Sequence, residues 1–146
     1  MAKFPNLGVT IDMGDDKCFC CGQNNPIGLK LKFDWDGTTA RAEFTPNENL
    51  QGWSGYLHGG ITACVLDEAM TWAAKLAGAN SVTAKMEVRY RKLVTIGATY
   101  MISCIITRNT PRLIETAAKL TNQDGEVLAE GTSTHFIVNH NDEKKI

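Results

Sequence analysis

Apolar and charged positions alternate with a period of two over much of the chain. Residues 29–35 carry apolar side chains at odd positions and charged ones at even positions, and the alternation resumes over residues 40–44. Because successive side chains of a strand point to opposite faces, this pattern predicts a β-hairpin that turns at Asp36-Gly37. The same alternation and β-rich composition predict four later strands: residues 82–90, 99–108, 113–121 and 127–138.

One segment departs from this pattern. Residues 61–77 are mostly apolar. They predict a helix that ends near Gly78 and that must be covered by other parts of the structure. The Gly- and Ser-rich residues 51–57 predict a loop, so His58-Gly59-Gly60 should lie at the start of the helix. The element order is therefore ββαββββ, an α+β fold in which an antiparallel sheet curls round one helix.

Length and charge limit the classes of protein to which the chain can belong. A chain of 146 residues is expected to form a single domain, 1–146, with loosely held arms at residues 1–17 and 139–146. The net charge of −1 argues against a nucleic-acid partner, and Asp67-Glu68 interrupts the apolar segment before it could span a membrane. The first residues, Met1-Ala2-Lys3-Phe4-Pro5, lack the apolar core of a signal peptide, so a cytoplasmic location is expected.

The cysteines are expected to be reduced thiols. Their number is odd and no secretory signal precedes them; they are Cys18, Cys20, Cys21, Cys64 and Cys104. Cys18 and Cys21 form one C-x-x-C pair, which raises the possibility of a metal site. No second pair follows, and His135 and His140 are distant in sequence, so packing of a loop is the favoured interpretation and no metal is expected.

The apolar helix carries the candidate chemistry. Its N-terminus presents free N–H groups and the positive end of the helix dipole, which together suit a developing oxyanion. Asp67 is an acid within the apolar segment, where it is either catalytic or satisfied by a hydroxyl such as Thr71. Its neighbour Glu68 points about 100° away round the helix and is expected at a subunit interface or in solvent.

Helix geometry separates the two candidate groups. Gly59 precedes Asp67 by eight residues, which places them about 12 Å apart along the axis and about 80° apart round it. One carbonyl group cannot contact both groups of one helix. If the two form an active pair, a second subunit must complete the site, with Asp67 of one chain near Gly59 of the other.

His58-Gly59-Gly60, followed by an acid nine positions after the His, resembles the hot-dog-fold acyl-CoA thioesterases of the 4-hydroxybenzoyl-CoA and phenylacetate-degradation type. The resemblance spans about residues 18–138 and includes the leader Cys18-Phe19-x-Cys21-Gly22. It implies a long central helix wrapped by a curved antiparallel sheet of five to six strands. It also implies that Asp67 and the Gly59 amide are catalytic, in sites between protomers of a homodimer that often pairs into a homotetramer.

The resemblance further implies supporting roles. His58 would position the loop and the thioester, and Gly60 would permit close approach of backbone or ligand. Gln51 is the nearest candidate for a polar side chain that holds the thioester or the attacking water, because Gly52 stands where some relatives have Asn. Thr83 matches a hydroxyl that orients the water, although its position in the alternation puts it opposite the apolar face.

The leading hypothesis is hydrolysis of an acyl-CoA or related thioester to a carboxylic acid and a free thiol, without a cofactor, a nucleic-acid partner or a membrane. Three alternatives stay open. The chain could be a non-catalytic acyl-CoA-binding or sensing protein, or, less readily, a hydratase or dehydratase, which would need a paired Asp and His. The third alternative is a metal-binding module built on Cys18 to Cys21.

Overall fold

A computed structural model describes residues 2–4, 9–11 and 14–140, with side chains from residue 14 to residue 138. One helix, α1 (Gly59–Leu76), packs against a six-stranded sheet. The strands of the chain are β1 (Ala2–Phe4), β2 (Val9–Ile11), β3 (Asp34–Trp35), β4 (Thr39–Phe44), β5 (Ala79–Tyr90), β6 (Tyr100–Asn109), β7 (Leu113–Thr121) and β8 (Val127–His140).

The main sheet has the order β3-β4-β6-β7-β8-β5, and every neighbouring pair is antiparallel. The short strands β1 and β2 pair separately within the predicted N-terminal arm. Parts of both predicted arms lie outside the described residues. From β3 onward the predicted order of two strands, a helix and four strands is confirmed.

The first predicted strand is much shorter than its alternation suggests. Only Asp34 and Trp35 pair with β4, whereas the backbone N–H groups of Leu29 and Leu31 donate to the carbonyls of Phe19 and Cys20, each at 2.8 Å. Leu31 is nevertheless buried. The apolar positions therefore face the core as expected, but the loop of cysteines, not β4, takes their backbone hydrogen bonds.

Helix α1 buries one face completely, and most of its other residues are partly buried. Its fully covered residues recur at helical spacing toward the sheet: Thr62, Val65, Leu66, Ala69, Met70, Ala73 and Ala74. Small residues on the facing strands, such as Ala40 and Ala118, share this core. The helix ends where Gly78 adopts a positive φ of 95° and donates its N–H to the Lys75 carbonyl at 3.0 Å. The chain then enters β5 at Ala79, so this strand begins three residues earlier than predicted.

Gly131 in β8 lies at a close contact between helix and sheet. A Cβ at this position would lie 2.8 Å from Cε of Met70 and 2.9 Å from the backbone oxygen of Glu87 in the neighbouring strand. The sequence predicts a bulge or a close contact at this glycine, and the contact is confirmed.

Strand β5 closes one end of the sheet. Among the described residues no strand of the main sheet lies on its outer side, so a 12-residue backbone edge is left without a partner. In residues 2–4, 9–11 and 14–140, no helix combines the length and apolar character needed to cross a membrane.

Candidate active site

His58 caps the start of α1. Its backbone is extended, with φ −61° and ψ 132°, and its Nδ1 accepts a hydrogen bond of 2.8 Å from the Gly60 N–H. The His58 carbonyl accepts from the N–H groups of Ile61 and Thr62 at 3.0 and 3.1 Å. A Cβ on Gly60 would lie 3.0 Å from the imidazole Nδ1. The glycine therefore leaves room for the capping ring, and His58 orders the helix start.

The two glycines differ in their hydrogen bonding. In the described part of the chain, the Gly59 N–H donates to no acceptor, whereas that of Gly60 is taken by His58. Gly59 is exposed. It thus presents a free amide at the positive end of a helix of 18 residues.

Tyr90 holds this helix start from the sheet side. Its hydroxyl donates a hydrogen bond of 2.7 Å to the Gly59 carbonyl, which ties the last residue of β5 to the first turn of α1. The sequence predicted only that Tyr90 lies in a strand. It did not predict this contact, because the two residues are 31 positions apart.

Asp67 is half-buried in the middle of α1, and its Oδ1 accepts a hydrogen bond of 3.0 Å from the Thr83 hydroxyl. Among the described residues, Thr83 is the only side chain that hydrogen-bonds to Asp67. Thr71, which helical spacing suggested as the partner, does not hydrogen-bond to Asp67. The structure therefore brings together two of the predicted site residues.

A bulge explains why Thr83 reaches the helix. Thr83 pairs with His135 of β8, but Lys85 pairs with Thr134, so one residue of β5 is extra at Ala84. Before this point, the buried side chains have odd residue numbers, at Ala79 and Ser81. After it, the half-buried side chains have even residue numbers, at Met86 and Val88. Thr83 is exposed, as its place in the alternation predicts, but its hydroxyl still reaches the helix because the bulge shifts the alternation by one residue.

His135 is buried near Asp67, although its position in the sequence did not suggest a place in this site. It is fully covered, its Nε2 lies 2.7 Å from the Ser133 hydroxyl, and its Nδ1 lies 3.4 Å from that of Ser81. Burial lowers the pKa of His135 below its usual value, while the nearby negative charge of Asp67 acts in the opposite direction. The alternation of residues 127–138 could have placed it inside, but its nearness to Asp67 depends on the pairing of β5 with β8.

Gln51 serves the loop that precedes the helix. Its Nε2 donates to the Glu48 carbonyl at 2.8 Å, and its Oε1 accepts from the Gly55 N–H at 2.6 Å. Both ends of the amide are thus engaged within the loop. A Cβ on Gly52 would lie 3.2 Å from Cα of His58, which gives a steric reason for the absence of a side chain at this position.

Glu68 does not lie free in solvent. It is half-buried, accepts a hydrogen bond of 3.1 Å from the Trp72 indole, and lies beside the Cys18 thiol. In the same region, Cys20 and Cys64 bring their sulfur atoms to 2.8 Å. Hydrogen bonding to Cys64, followed by burial, raises the pKa of Cys20, and the same hydrogen bond lowers that of Cys64. All five cysteines are free thiols.

A large groove of about 960 Å³ lies away from these residues, on the face of the sheet opposite α1. Charged and polar side chains such as Arg41, Lys119 and Glu130 line it, and it contains none of the candidate site residues. The groove is therefore not the candidate active site, although it is large.

The sequence model of the Thioesterase superfamily matches residues 54–129, a span that contains Gly59, Asp67 and Thr83. This match covers more than half of the chain, so the chain belongs to the Thioesterase superfamily. Its helix and antiparallel sheet form a hot-dog fold, and the predicted family and fold class are both confirmed.

Named relatives support the same assignment. The chain is 31% identical over 98 residues to acyl-coenzyme A thioesterase THEM5 of Homo sapiens, a match that covers 64% of this chain and 40% of that protein. It is 31% identical over 88 residues to human acyl-coenzyme A thioesterase 13, over 58% of this chain and 63% of that one. The chain thus spans less than two thirds of the length of either relative.

A solved structure from Streptococcus mutans, bound to acetyl CoA, has the same fold. It superimposes with a TM-score of 0.72 over 75% of this chain and 90% of that chain, at 18% sequence identity. At this identity the likeness shows the fold alone.

Proposed function

We propose that this chain hydrolyses an acyl-CoA or related thioester, as a single domain that assembles into a homodimer or a dimer of dimers. The observation that carries the proposal is the contact of Thr83 with Asp67. It holds a half-buried carboxylate on the helix that begins with the free Gly59 amide. Family membership and the names of the human relatives support a thioester substrate. The acetyl CoA bound by the Streptococcus mutans protein supports coenzyme A as the thiol portion.

Asp67 would be the group that acts on the thioester. As a base it would take a proton from water while the water oxygen attacks the carbonyl carbon; as a nucleophile its carboxylate would attack directly and water would then release the acid. In either route the carbon–sulfur bond breaks, and the leaving thiolate takes up a proton to give the free thiol. Thr83 donates to Oδ1 and so fixes the rotation of the carboxylate, leaving Oδ2 for the reaction.

The Gly59 N–H would stabilise the negative charge on the thioester oxygen. A backbone donor fixed at a helix N-terminus needs no reorganisation when this charge develops. His58 and Tyr90 preorganise the donor, because one caps the first turn and the other holds the Gly59 carbonyl. Gly60 contributes space for the imidazole, and Gln51 orders the loop before it.

Two protomers would share each site. Helix α1 runs without interruption from Gly59 past Asp67, so the two groups of one chain are about 12 Å apart along the axis. The partner-free edge of β5, which carries both Thr83 and Tyr90, offers a surface for antiparallel pairing about a two-fold axis. Pairing there would bring α1 and its copy side by side. We expect the assembly to act in the cytoplasm, without a metal or organic cofactor in the reaction.

The test measures release of free thiol from a panel of short, long and aromatic acyl-CoAs. The Asp67→Asn variant keeps the size of the side chain but removes the carboxylate, and it should lose at least about a hundredfold in kcat. Asp124→Asn, in the exposed turn before β8, is the matched control and should retain the wild-type rate. Equal rates for Asp67→Asn and wild type would contradict the proposal. Coenzyme A binding by calorimetry without turnover by the wild type would favour the non-catalytic binding alternative.

A further inference from the structure

Outside the candidate active site, a second cluster of reactive side chains joins the N-terminal loop to α1. Cys18, Cys21 and Glu68 each direct one potential ligand atom into this cluster, and these atoms lie within 4.8 Å of one another. We propose that Cys18, Cys21 and Glu68 bind a zinc ion whose fourth ligand is water, at a site that is separate from the proposed thioester chemistry.

The distances within the cluster suit zinc. Zinc binds Cys sulfur at about 2.3 Å and carboxylate oxygen at about 2.0–2.2 Å in tetrahedral sites, which separates such ligand atoms by about 3.6 Å. The Cys18 sulfur lies 3.6 and 3.7 Å from the two carboxylate oxygens of Glu68. The Cys21 sulfur lies within 4.8 Å of these atoms, so a shift of up to about 1 Å would bring it to the same separation.

The local backbone brings the two thiols together. The Gly22 N–H donates to the Cys18 carbonyl at 2.8 Å, which folds residues 18–22 into one tight turn. A Cβ at Gly22 would lie 2.6 Å from the Asp16 carbonyl oxygen, so only glycine allows this turn. Cys20, between the two proposed ligands, is engaged elsewhere because its sulfur contacts that of Cys64 at 2.8 Å.

Glu68 has the surroundings of a metal ligand. In the described part of the chain it forms no ion pair with Lys, Arg or His. A half-buried carboxylate beside thiols and without a cation is costly, and a divalent ion would offset this cost. The Trp72 indole donates to Oε1 at 3.1 Å and stacks on Phe33 with a centroid separation of 6.1 Å, so the carboxylate is held in place from outside the cluster.

The fourth position would be open to water. Cys18 and Glu68 are both half-exposed, while Cys21 is buried, so an ion could enter from the side of the first two. The C-x-x-C pair alone does not predict a metal site, because no further ligand is near it in sequence. The third ligand comes from α1, 50 residues after Cys18, and only the fold brings it there.

The test is the zinc content of the purified full-length chain after dialysis, measured by inductively coupled plasma mass spectrometry. We expect about one zinc ion per chain, and a loss of most of it in Cys18→Ser and in Glu68→Gln. Cys104→Ala, which removes a buried thiol in β6 away from the cluster, should retain the full content. Equal zinc content in the wild type and both ligand variants would overturn the proposal, since the metal would then lie elsewhere.

Cobalt alone, added to the metal-free wild type, gives a second readout that does not depend on the variants folding. Coordination by two thiolates should produce thiolate-to-cobalt charge-transfer absorption together with the strong visible bands of four-coordinate cobalt. Absence of these bands at equimolar cobalt would overturn the proposal. A chelator should lower the thermal midpoint of the wild type and leave those of the two ligand variants unchanged; equal shifts in all three would count against the site. None of these measurements uses thioester hydrolysis, so the zinc site and the proposed function can fail separately.

Discussion

The hydroxyl of Thr83 on β5 donates a hydrogen bond of 3.0 Å to Asp67 on α1, and it does so because the strand carries a bulge one residue later. Without the extra residue, the alternation that partly buries Met86 and Val88 would turn Thr83 away from the helix. A local irregularity of β5 thus determines which side chain meets the carboxylate.

Removing the Thr83 hydroxyl should impair hydrolysis without unfolding the chain. Thr83→Val keeps the shape but leaves Asp67 free to rotate, and loss of one hydrogen bond to a charged group predicts a fall in kcat of about tenfold, with KM little changed. Thr83→Ser should restore most of the rate. Steady-state kinetics check this, with Thr132→Val, exposed on β8, as the control. An unchanged kcat in Thr83→Val would show that the hydroxyl has no part in positioning the acid.

A site shared between protomers can be tested by complementation. Gly59→Pro removes the proposed oxyanion donor, and the first position of a helix after an extended residue tolerates proline. Gly59→Ala, whose Cβ would come no closer than 3.5 Å to Tyr90, retains the N–H and is the control.

Gly59→Pro and Asp67→Asn should each be inactive alone. Refolded together in equal amounts, they should recover about a quarter of the wild-type activity, because half of the dimers are mixed and each mixed dimer has one intact site. Thiol release after co-refolding measures the recovery. A mixture as inactive as its components, or an active monomer in sedimentation, would contradict the shared site.

Gly131→Ala should destabilise the fold. The new methyl group would press on the Glu87 carbonyl oxygen and on the end of Met70, and the backbone of a paired strand cannot move away freely. Overpacking of this kind predicts a loss of about 1–3 kcal/mol in the free energy of unfolding. Urea denaturation measures the loss, and Thr132→Ala on the exposed face should remain within about 0.5 kcal/mol of wild type. A neutral Gly131→Ala would mean that helix and sheet separate more easily than their contact suggests.

His135 should make stability depend on pH. Burial holds its pKa in the folded chain below the value of 6.5 that it has when exposed, so below about pH 6.5 the unfolded chain binds more protons than the folded one. The stability contribution is then complete above that pH and is lost as the pH falls toward the folded pKa. The free energy of unfolding should therefore decrease on acidification from about pH 7.5 to about pH 5.5. His135→Gln should show a smaller decrease; identical slopes for variant and wild type would contradict the assignment.

Local patterns were sufficient to predict much of the fold. Strict alternation identifies strands because side-chain direction repeats every two residues, and the apolar segment from residue 61 identifies the helix without any partner being known. His58-Gly59-Gly60 lies at the start of α1 as predicted, since a loop rich in glycine and an apolar helix meet there. The spacing of Gly59 and Asp67 is likewise a property of one helix, and it could be read directly from the residue numbers.

Contacts between distant segments could not be predicted in this way. The alternation of residues 29–35 is present, but the loop of cysteines takes the hydrogen bonds that would have lengthened β3. The bulge of β5, the nearness of His135 to Asp67 and the meeting of Glu68 with Cys18 all depend on pairing between residues 50 or more apart or on the register of two strands. The sequence by itself therefore determined the elements and the candidate acid and amide, because these follow from periodicity along the chain. Only the tertiary structure decided which side chains surround them, because strand register and packing are properties of the assembled sheet.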